Sequence, residues 1–245
     1  MRFGIISDIH ANLEALEAAL AWLDTQSVDE IVCLGDVVGY GPDPLECCRL
    51  VRARAKVTLM GNHDAAVVGA MSTRFYYDAA RQVIEWTRSR LDQDSLRWLY
   101  SLPYTYLRRD AGVGFFHSAP VMPSGFFYVV RKEDAQNHTR IFDRLMPVSL
   151  MGHSHLTKAF RLYRDKAKDI SGKPLEGDEE SKLLVNVGSV GQPRDRNPLG
   201  CCGIYDSGPR TFIHHRFDYN REETARKIEK LGLSPRFAQR LFTGE

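Results

Sequence analysis

Five times along this 245-residue chain a short apolar run ends in a small polar cluster, and that repeated join constrains the fold more than any other feature. The clusters are Asp8-Ile9-His10, Gly35-Asp36, Gly61-Asn62-His63-Asp64, His117-Ser118 and Gly152-His153-Ser154-His155. The runs before them read as short buried strands at Arg2–Ser7, Glu30–Leu34, Val57–Met60, Gly112–Phe116 and Val148–Met151. Between the first three lie helical patterns. Asn12 stands at an N-cap position before Leu13, Leu16, Leu20 and Leu23, and Asp43 with Pro44 opens a helix through about Arg54. Strands joined by helical crossovers predict an α/β architecture. In open sheets of this kind ligands bind beyond the carboxyl ends of the strands, so the five clusters are expected to converge in space.

The remainder of the chain predicts a mostly helical stretch over 75–101, stopped by Leu102–Pro103, and a helix over 132–145. From Thr157 the texture changes to strands around Ala159–Tyr163, Lys182–Val187, Gly203–Asp206 and Thr211–Phe217, with two closing helices near Arg221–Leu231 and after Ser234–Pro235. The polar stretch Asp165–Ser181 reads as a mobile excursion or hairpin tip. There is no internal repeat or linker, and residues 1–245 are expected to form one domain.

Composition sets limits on partners. With 43% hydrophobic and 26% charged residues the chain is ordinary for a soluble globular protein. A formal net charge of +2 gives no support for a polyanion-binding surface, so nucleic acid is disfavoured as a partner. No apolar run approaches the ~20 residues that span a bilayer, so no membrane is expected. Met1–Ser7 runs directly into a strand, without the charged and apolar regions of a secretion signal. The five cysteines are odd in number, and four form the adjacent pairs Cys47–Cys48 and Cys201–Cys202. That is poor disulfide arithmetic, and reduced buried thiols in a cytoplasmic protein are expected. A homo-oligomer stays open.

Five of the eight histidines fall inside the clusters. Neutral imidazole and carboxylate together suit zinc or first-row transition metals, and the absence of thiolate argues against a structural zinc site. In Asp-x-His and His-x-His the two side chains are two residues apart, a spacing that lets both point to one side of a strand end. Any one cluster also reads as turn chemistry or a satisfied core contact. No structural need makes five strand ends polar at once.

Asp8–His10, Gly35–Asp36, Gly61–Asp64, His117 and Gly152–His155 resemble the signature of the calcineurin-like metallophosphoesterases. The strings SDIHANLEAL, GDVVGYGPDP, GNHD and NVGSVGQPRD resemble more specifically its small bacterial and archaeal phosphodiesterase branch, over residue 3 to about residue 206. The resemblance implies a four-layer αββα sandwich. It also implies two divalent transition-metal ions per chain, manganese first among them, with iron, nickel, cobalt and zinc also admitted. Asp8, His10, Asp36 and His155 would hold one ion; Asp36, Asn62, His117 and His153 would hold the other. His63 would be the catalytic imidazole, donating a proton to the leaving group while a metal-bridging hydroxide attacks a phosphodiester. The chemistry has its own logic, since an anionic ester needs charge neutralisation and an activated water, both of which a metal pair supplies.

Protein phosphatases of this superfamily carry Asp and Arg in the pattern GDxxDRG, where this chain has Gly39 and Tyr40. That disfavours a phosphoprotein substrate and points to a small phosphate ester. It also leaves open what orients His63, with Asp64 readable either as that group or as a backbone cap. Tyr40 and Arg194 are candidate substrate contacts, each with an ordinary loop role as the alternative. Phe126, Phe127 and Tyr128 are expected to pack into the core, with base stacking the less favoured reading. Phosphomonoester hydrolysis and nucleotide or dinucleoside polyphosphate hydrolysis are the alternatives within the enzyme class. A non-catalytic interaction scaffold of the same fold is the alternative outside it, and retention of His63 with all seven ligands weighs against that.

Overall fold

Strand β1 (Arg2–Ile6) is almost wholly buried because it runs through the middle of a sheet with a helical layer on one face and a second sheet on the other. The computed structural model describes residues 1–74 and 76–245. After β1 come α1 (Leu13–Asp24), β2 (Glu30–Cys33), α2 (Pro44–Arg54), β3 (Val57–Thr58), α3 (Asn62–Val68), α4 (Asp78–Arg90) and α5 (Gln93–Tyr100). Then follow β4 (Thr105–Arg108), β5 (Val113–Phe116), α6 (Lys132–Gln136), a 3-10 helix at Asn137–Arg144 and β6 (Val148–Met151). The last part holds β7 (Ala159–Leu162), β8 (Ala167–Asp169), β9 (Leu175–Glu176), β10 (Lys182–Asn186), β11 (Gly200–Asp206), β12 (Thr211–Phe217), α7 (Arg221–Lys230) and α8 (Pro235–Thr243).

One sheet has the order β3-β2-β1-β11-β12-β9 and the other β4-β5-β6-β10-β7-β8. Strands β1 to β3 are parallel, as are β5, β6 and β10, and the remaining pairings are antiparallel. The period of two in β1 sends Phe3 and Ile5 inward to meet Phe115, Leu150 and Val185 between the sheets. Ile6 faces outward against Leu16, Leu20 and Leu23 of α1. On the far side Phe160 and Leu184 pack against Ala135 and Phe142. The result is a four-layer αββα sandwich in which each fully buried Leu, Ile or Phe contributes roughly 1.5–3 kcal/mol.

Several boundaries differ from the sequence expectation. The helix expected over 75–101 is two helices, broken at Leu91–Asp92, where Asp92 caps α5 by accepting from the Ser95 N–H at 2.7 Å. Phe75 lies outside the described residues. The stretch expected as a mobile excursion or hairpin tip begins as the hairpin of β7 and β8 and also carries β9, so that β8 and β9 extend the edges of opposite sheets by pairing with β7 and β12. Their pattern is too short and polar to read alone, and the partner strands supply the missing backbone hydrogen bonds. Strand β4 and helix α3 were not expected. Asn12 caps α1 through the Ala15 N–H (3.1 Å), whereas Asp43, at the N-cap position of α2, makes no side-chain capping bond and instead accepts from Lys227 Nζ at 2.9 Å. All five cysteines are buried free thiols. Among the described residues no helix is long and apolar enough to cross a membrane.

Candidate metal centre

The strands end where the backbone turns left-handed. Asp8, His10, Asp36, His153 and His155 have φ of 53°, 51°, 52°, 66° and 59°. For an L-residue that region costs roughly 1–2 kcal/mol, so five of the seven expected ligands sit on strained backbone. Hydrogen bonds between neighbouring joins hold them there: the Asp8 N–H donates to Gly35 O (3.0 Å), the His10 N–H to Asp36 O (3.0 Å) and the Gly191 N–H to Asp8 O (3.0 Å). Strain of this kind gathers where a site demands a geometry the chain would not choose. Gly61 is needed for another reason, because a Cβ there would overlap the backbone nitrogen and Oδ1 of Asp36. That close approach lets the first turn of α3 donate the His63 N–H to Asp36 Oδ1 at 2.8 Å.

Two groups of ligand atoms result. Asp8, His10, Asp36 and His155 form one, and Asp36, His117 and His153 the other, with the atoms of each group within 4.8 Å of one another. Asn62 Oδ1 joins the second group, 3.3 Å from His117 Nε2. Asp36 belongs to both. Its Oδ2 lies 3.6 Å from His10 Nε2 and 3.5 Å from His117 Nε2, and it is buried with no hydrogen-bond partner.

Backbone carbonyls fix the imidazole tautomers. Nδ1 of His10, His117 and His155 meets the carbonyl oxygens of Val38 (3.2 Å), Leu34 (3.0 Å) and Gln192 (2.5 Å). A carbonyl accepts only from a donor, so these Nδ1 atoms carry protons and the Nε2 atoms face the site, with lone pairs on the neutral rings of His10 and His155. His153 is reversed, donating from Nε2 to Phe126 O at 2.9 Å and leaving Nδ1 for the site. The Nε2 atoms of His10 and His155 therefore face each other at 3.1 Å, with Asp8 Oδ1 3.4 Å from the latter. Lone pairs gathered so closely in a buried place repel one another unless a cation lies among them. The residues fit a metal ion, and their nitrogen and oxygen donors are those of a divalent transition metal.

The electrostatics agree with that demand for positive charge. Burial holds His10 and His155 well below the ordinary imidazole range and His153 down to about 3, so all three stay neutral. Burial pushes Asp8 up to about 7. Burial would lower His117 too, yet the Asp36 carboxylate raises it to about 9. Asp36 would likewise be raised by burial, but the His117 charge outweighs this and holds it well below the usual carboxylate range.

His63 is buried beside both groups. Its ring centroid lies 4.9 Å from His10, 4.4 Å from Tyr40 and 5.4 Å from Tyr76. Gly39, at φ +94°, presses its bare α-carbon against the imidazole, where a Cβ would come within 2.6 Å of Nδ1. Asp64 does not orient the ring. Its Oδ1 accepts from the Val38 N–H (3.2 Å) and its Oδ2 from the Gly61 N–H (3.1 Å), so it is the backbone cap of the two open readings. Burial lowers His63 to about 4, with Asp36 opposing the shift and Arg194 reinforcing it.

A cleft of about 350 Å³ opens over Asp36, Asn62, His63, His153 and His155, walled by Tyr40, Tyr76, Tyr77, Phe126, Tyr128 and Arg194. Both candidate substrate contacts line it. The Arg194 guanidinium lies 5.5 Å from the Tyr40 ring centroid and donates to Gln192 Oε1 at 2.6 Å. Of the aromatic cluster Phe126 packs against the core as expected, and the expectation fails for Phe127 and Tyr128. Phe127 and Tyr128 are 53% and 52% exposed, and Tyr128 stacks flat on His153 with centroids 4.0 Å apart. Sequence reasoning missed Tyr76, whose hydroxyl accepts from Asn62 Nδ2 at 2.7 Å and so turns Asn62 Oδ1 toward His117. Nothing in the spacing pairs residues 62 and 76. His138, His214 and His215 lie outside both groups.

Fold and site together define a metal-dependent phosphoester hydrolase. The chain belongs to the calcineurin-like phosphoesterase family, whose family model matches residues 1–176. It is 33% identical to an uncharacterized protein of Methanocaldococcus jannaschii over 98% of this chain and 97% of that one. A metallophosphoesterase of Sphaerobacter thermophilus has a similar structure, with a TM-score of 0.84 and 33% identity, covering 100% of this chain and 99% of the other. A shorter match, 37% identical over 100 residues, relates 38% of this chain to 34% of the symmetrical bis(5'-nucleosyl)-tetraphosphatase of Aromatoleum aromaticum.

Proposed function

We propose that the chain hydrolyses small phosphodiesters at a pair of divalent metal ions bridged by Asp36, with manganese the first candidate and His63 the general acid. The observation that carries this reading is Asp36 Oδ2, a buried carboxylate oxygen shared by two ligand groups and satisfied by no hydrogen bond. Asp8, His10 and His155 would hold one ion, and Asn62, His117 and His153 the other. Ions bound there supply charge neutralisation of the phosphoryl oxygens and a water of lowered pKa.

The chain's own residues do the rest. His63 sits against the metal ligands with its ring clamped by Tyr40, His10 and Tyr76, which fixes its direction without a carboxylate. In the free protein burial keeps it neutral at pH 7. A phosphate anion bound against it favours the imidazolium, the form that can protonate a departing alkoxide. Arg194 reaches the cleft to pair with phosphoryl oxygens. Gly39 and Tyr40 support a small-ester substrate, since the acid and arginine of the protein-phosphatase pattern are absent there. The Aromatoleum aromaticum relative and the aromatic cleft wall favour nucleotide polyphosphates as the second reading.

The test is to strip the protein of metal, restore single metals, and compare bis(p-nitrophenyl) phosphate with p-nitrophenyl phosphate. We expect turnover only with metal and a higher kcat/KM for the diester. A clear monoester preference would sink the diesterase reading, and silence on both substrates under every metal would favour a scaffold.

A further inference from the structure

We propose that Arg194, Arg236 and Arg240 form a second anion subsite beside the metal centre, which takes a phosphoryl group joined to the one being cleaved. This rests on the phosphoesterase reading above and narrows its substrate to organic phosphates carrying at least two linked phosphoryl groups.

The subsite is organised around Tyr40. One side of its ring meets His63, and Phe237 of α8 packs at 5.1 Å while Arg194 lies at 5.5 Å. Helix α8 is also pinned to the loop that carries Arg194, because the Arg196 N–H donates to Gly244 O at 2.9 Å. Phe237 and Leu241 are the buried face of α8. Arg236 and Arg240 are four residues apart and so share the adjoining face. Burial and the like charges of Arg194 and Arg236 all disfavour the charge on Arg240, whose other titratable neighbours are Tyr77 and Tyr40. Tyr40, Tyr77 and Arg194 line the metal cleft, and α8 packs against Tyr40 through Phe237.

No carboxylate answers this charge. Among the described residues none of the three arginines has an ion-pair partner, whereas Arg49, Arg52, Arg54 and Arg81 each pair with an aspartate. Arg194 Nε is buried with no hydrogen-bond partner. Guanidinium groups held together without counter-charge form a fork that matches phosphoryl oxygens. The metal centre already engages one phosphoryl group, so an anion at the arginines is a second one. The net charge of +2 argues for a local device rather than a long polyanion groove.

Calorimetry on the manganese-loaded full chain tests this by comparing inorganic pyrophosphate with inorganic phosphate. We expect pyrophosphate to bind at least about tenfold more tightly, a difference of about 1.4 kcal/mol. The double variant Arg236→Gln with Arg240→Gln should lose that ratio, and Arg236→Lys with Arg240→Lys should keep part of it. Equal ratios in wild type and the glutamine variant, or no wild-type preference for pyrophosphate, would overturn the subsite. Displacement of pyrophosphate by oligothymidylate at comparable phosphate concentration would also overturn it, in favour of a nucleic-acid strand. Should the ratio behave as expected while no ester is hydrolysed, the subsite stands and the phosphoesterase reading fails. Ester hydrolysis with no pyrophosphate preference gives the reverse.

Discussion

The floor of the cleft and its rim are built by opposite rules. On the floor, Asp8, His10, Asp36, His117, His153 and His155 are buried, five of the six have left-handed backbone, and their imidazoles each donate a proton to a backbone carbonyl. The rim is Tyr76, Tyr77, Phe126, Tyr128 and Arg194, partly or well exposed and drawn from separate stretches of chain. A floor so tied to main chain cannot move without moving the sheets. The rim can change residue by residue. The contrast teaches that the candidate metal centre and the walls over it are held by different parts of the molecule.

The sharpest way to break that contrast is at Asp36, the residue shared by both candidate ligand groups. Asp36→Asn removes one negative charge from both, and we expect bound metal to fall and kcat/KM to drop by at least about a thousandfold, since metal stabilisation of a transition state is worth several kcal/mol. Metal analysis alongside kinetics checks it. Full metal content with near wild-type turnover would show that the two groups do not work as one centre.

His63→Ala should separate binding from chemistry. Its ring contacts the ligands but belongs to neither group. We expect metal content to be retained and turnover to fall by about 10²–10⁴-fold, the ordinary worth of a positioned general acid. Turnover near wild type would remove His63 from the reaction.

Tyr76→Phe asks whether the rim reaches into the floor. The hydroxyl accepts from the Asn62 amide at 2.7 Å, and without it Asn62 is free to turn its oxygen away from His117. Partners one shell out from a metal typically carry about 10–100-fold in affinity or activity. We expect about tenfold weaker metal binding, read by direct titration of metal into the stripped protein. Unchanged affinity would confine Tyr76 to shaping the cleft.

What was legible in the sequence follows the same division. The convergence of the floor could be read because each candidate ligand lies within a few residues of the strand that places it, as Asp36 follows Glu30–Cys33 and His153 follows Val148–Met151. Strand periodicity and polar joins are local signals. The inter-sheet core was legible for the same reason. Tyr76 was not, since its bond to Asn62 depends on how α3 leads into α4. Nor was the approach of α8 to the site, which depends on Phe237 packing against Tyr40. Phe127 and Tyr128 were misread because an aromatic run predicts burial on average, whereas here the chain passes over the cleft mouth. In the stretch 165–181 the hairpin of β7 and β8 was legible, whereas β9 was not, because it exists only by pairing with β12 of the other sheet.

The smallest effect is expected at Tyr128, and it bears most directly on the contrast. The ring stacks on His153 at 4.0 Å with an interplanar angle of 10°, so it touches the floor yet is half exposed. A stacked aromatic pair contributes about 0.5–1.5 kcal/mol beyond its buried area. If Tyr128 serves as a rim residue, Tyr128→Leu should raise KM by a few-fold, up to about tenfold for an aryl or nucleoside ester, and change kcat less. His153 keeps its Nε2 bond to Phe126 O in that variant, so its Nδ1 still faces the site. A kcat loss as large as that of His63→Ala would mean that stacking, rather than the carbonyl bond, holds His153 in place. Tyr128 would then belong to the floor, and the division would run through His153 instead of around it.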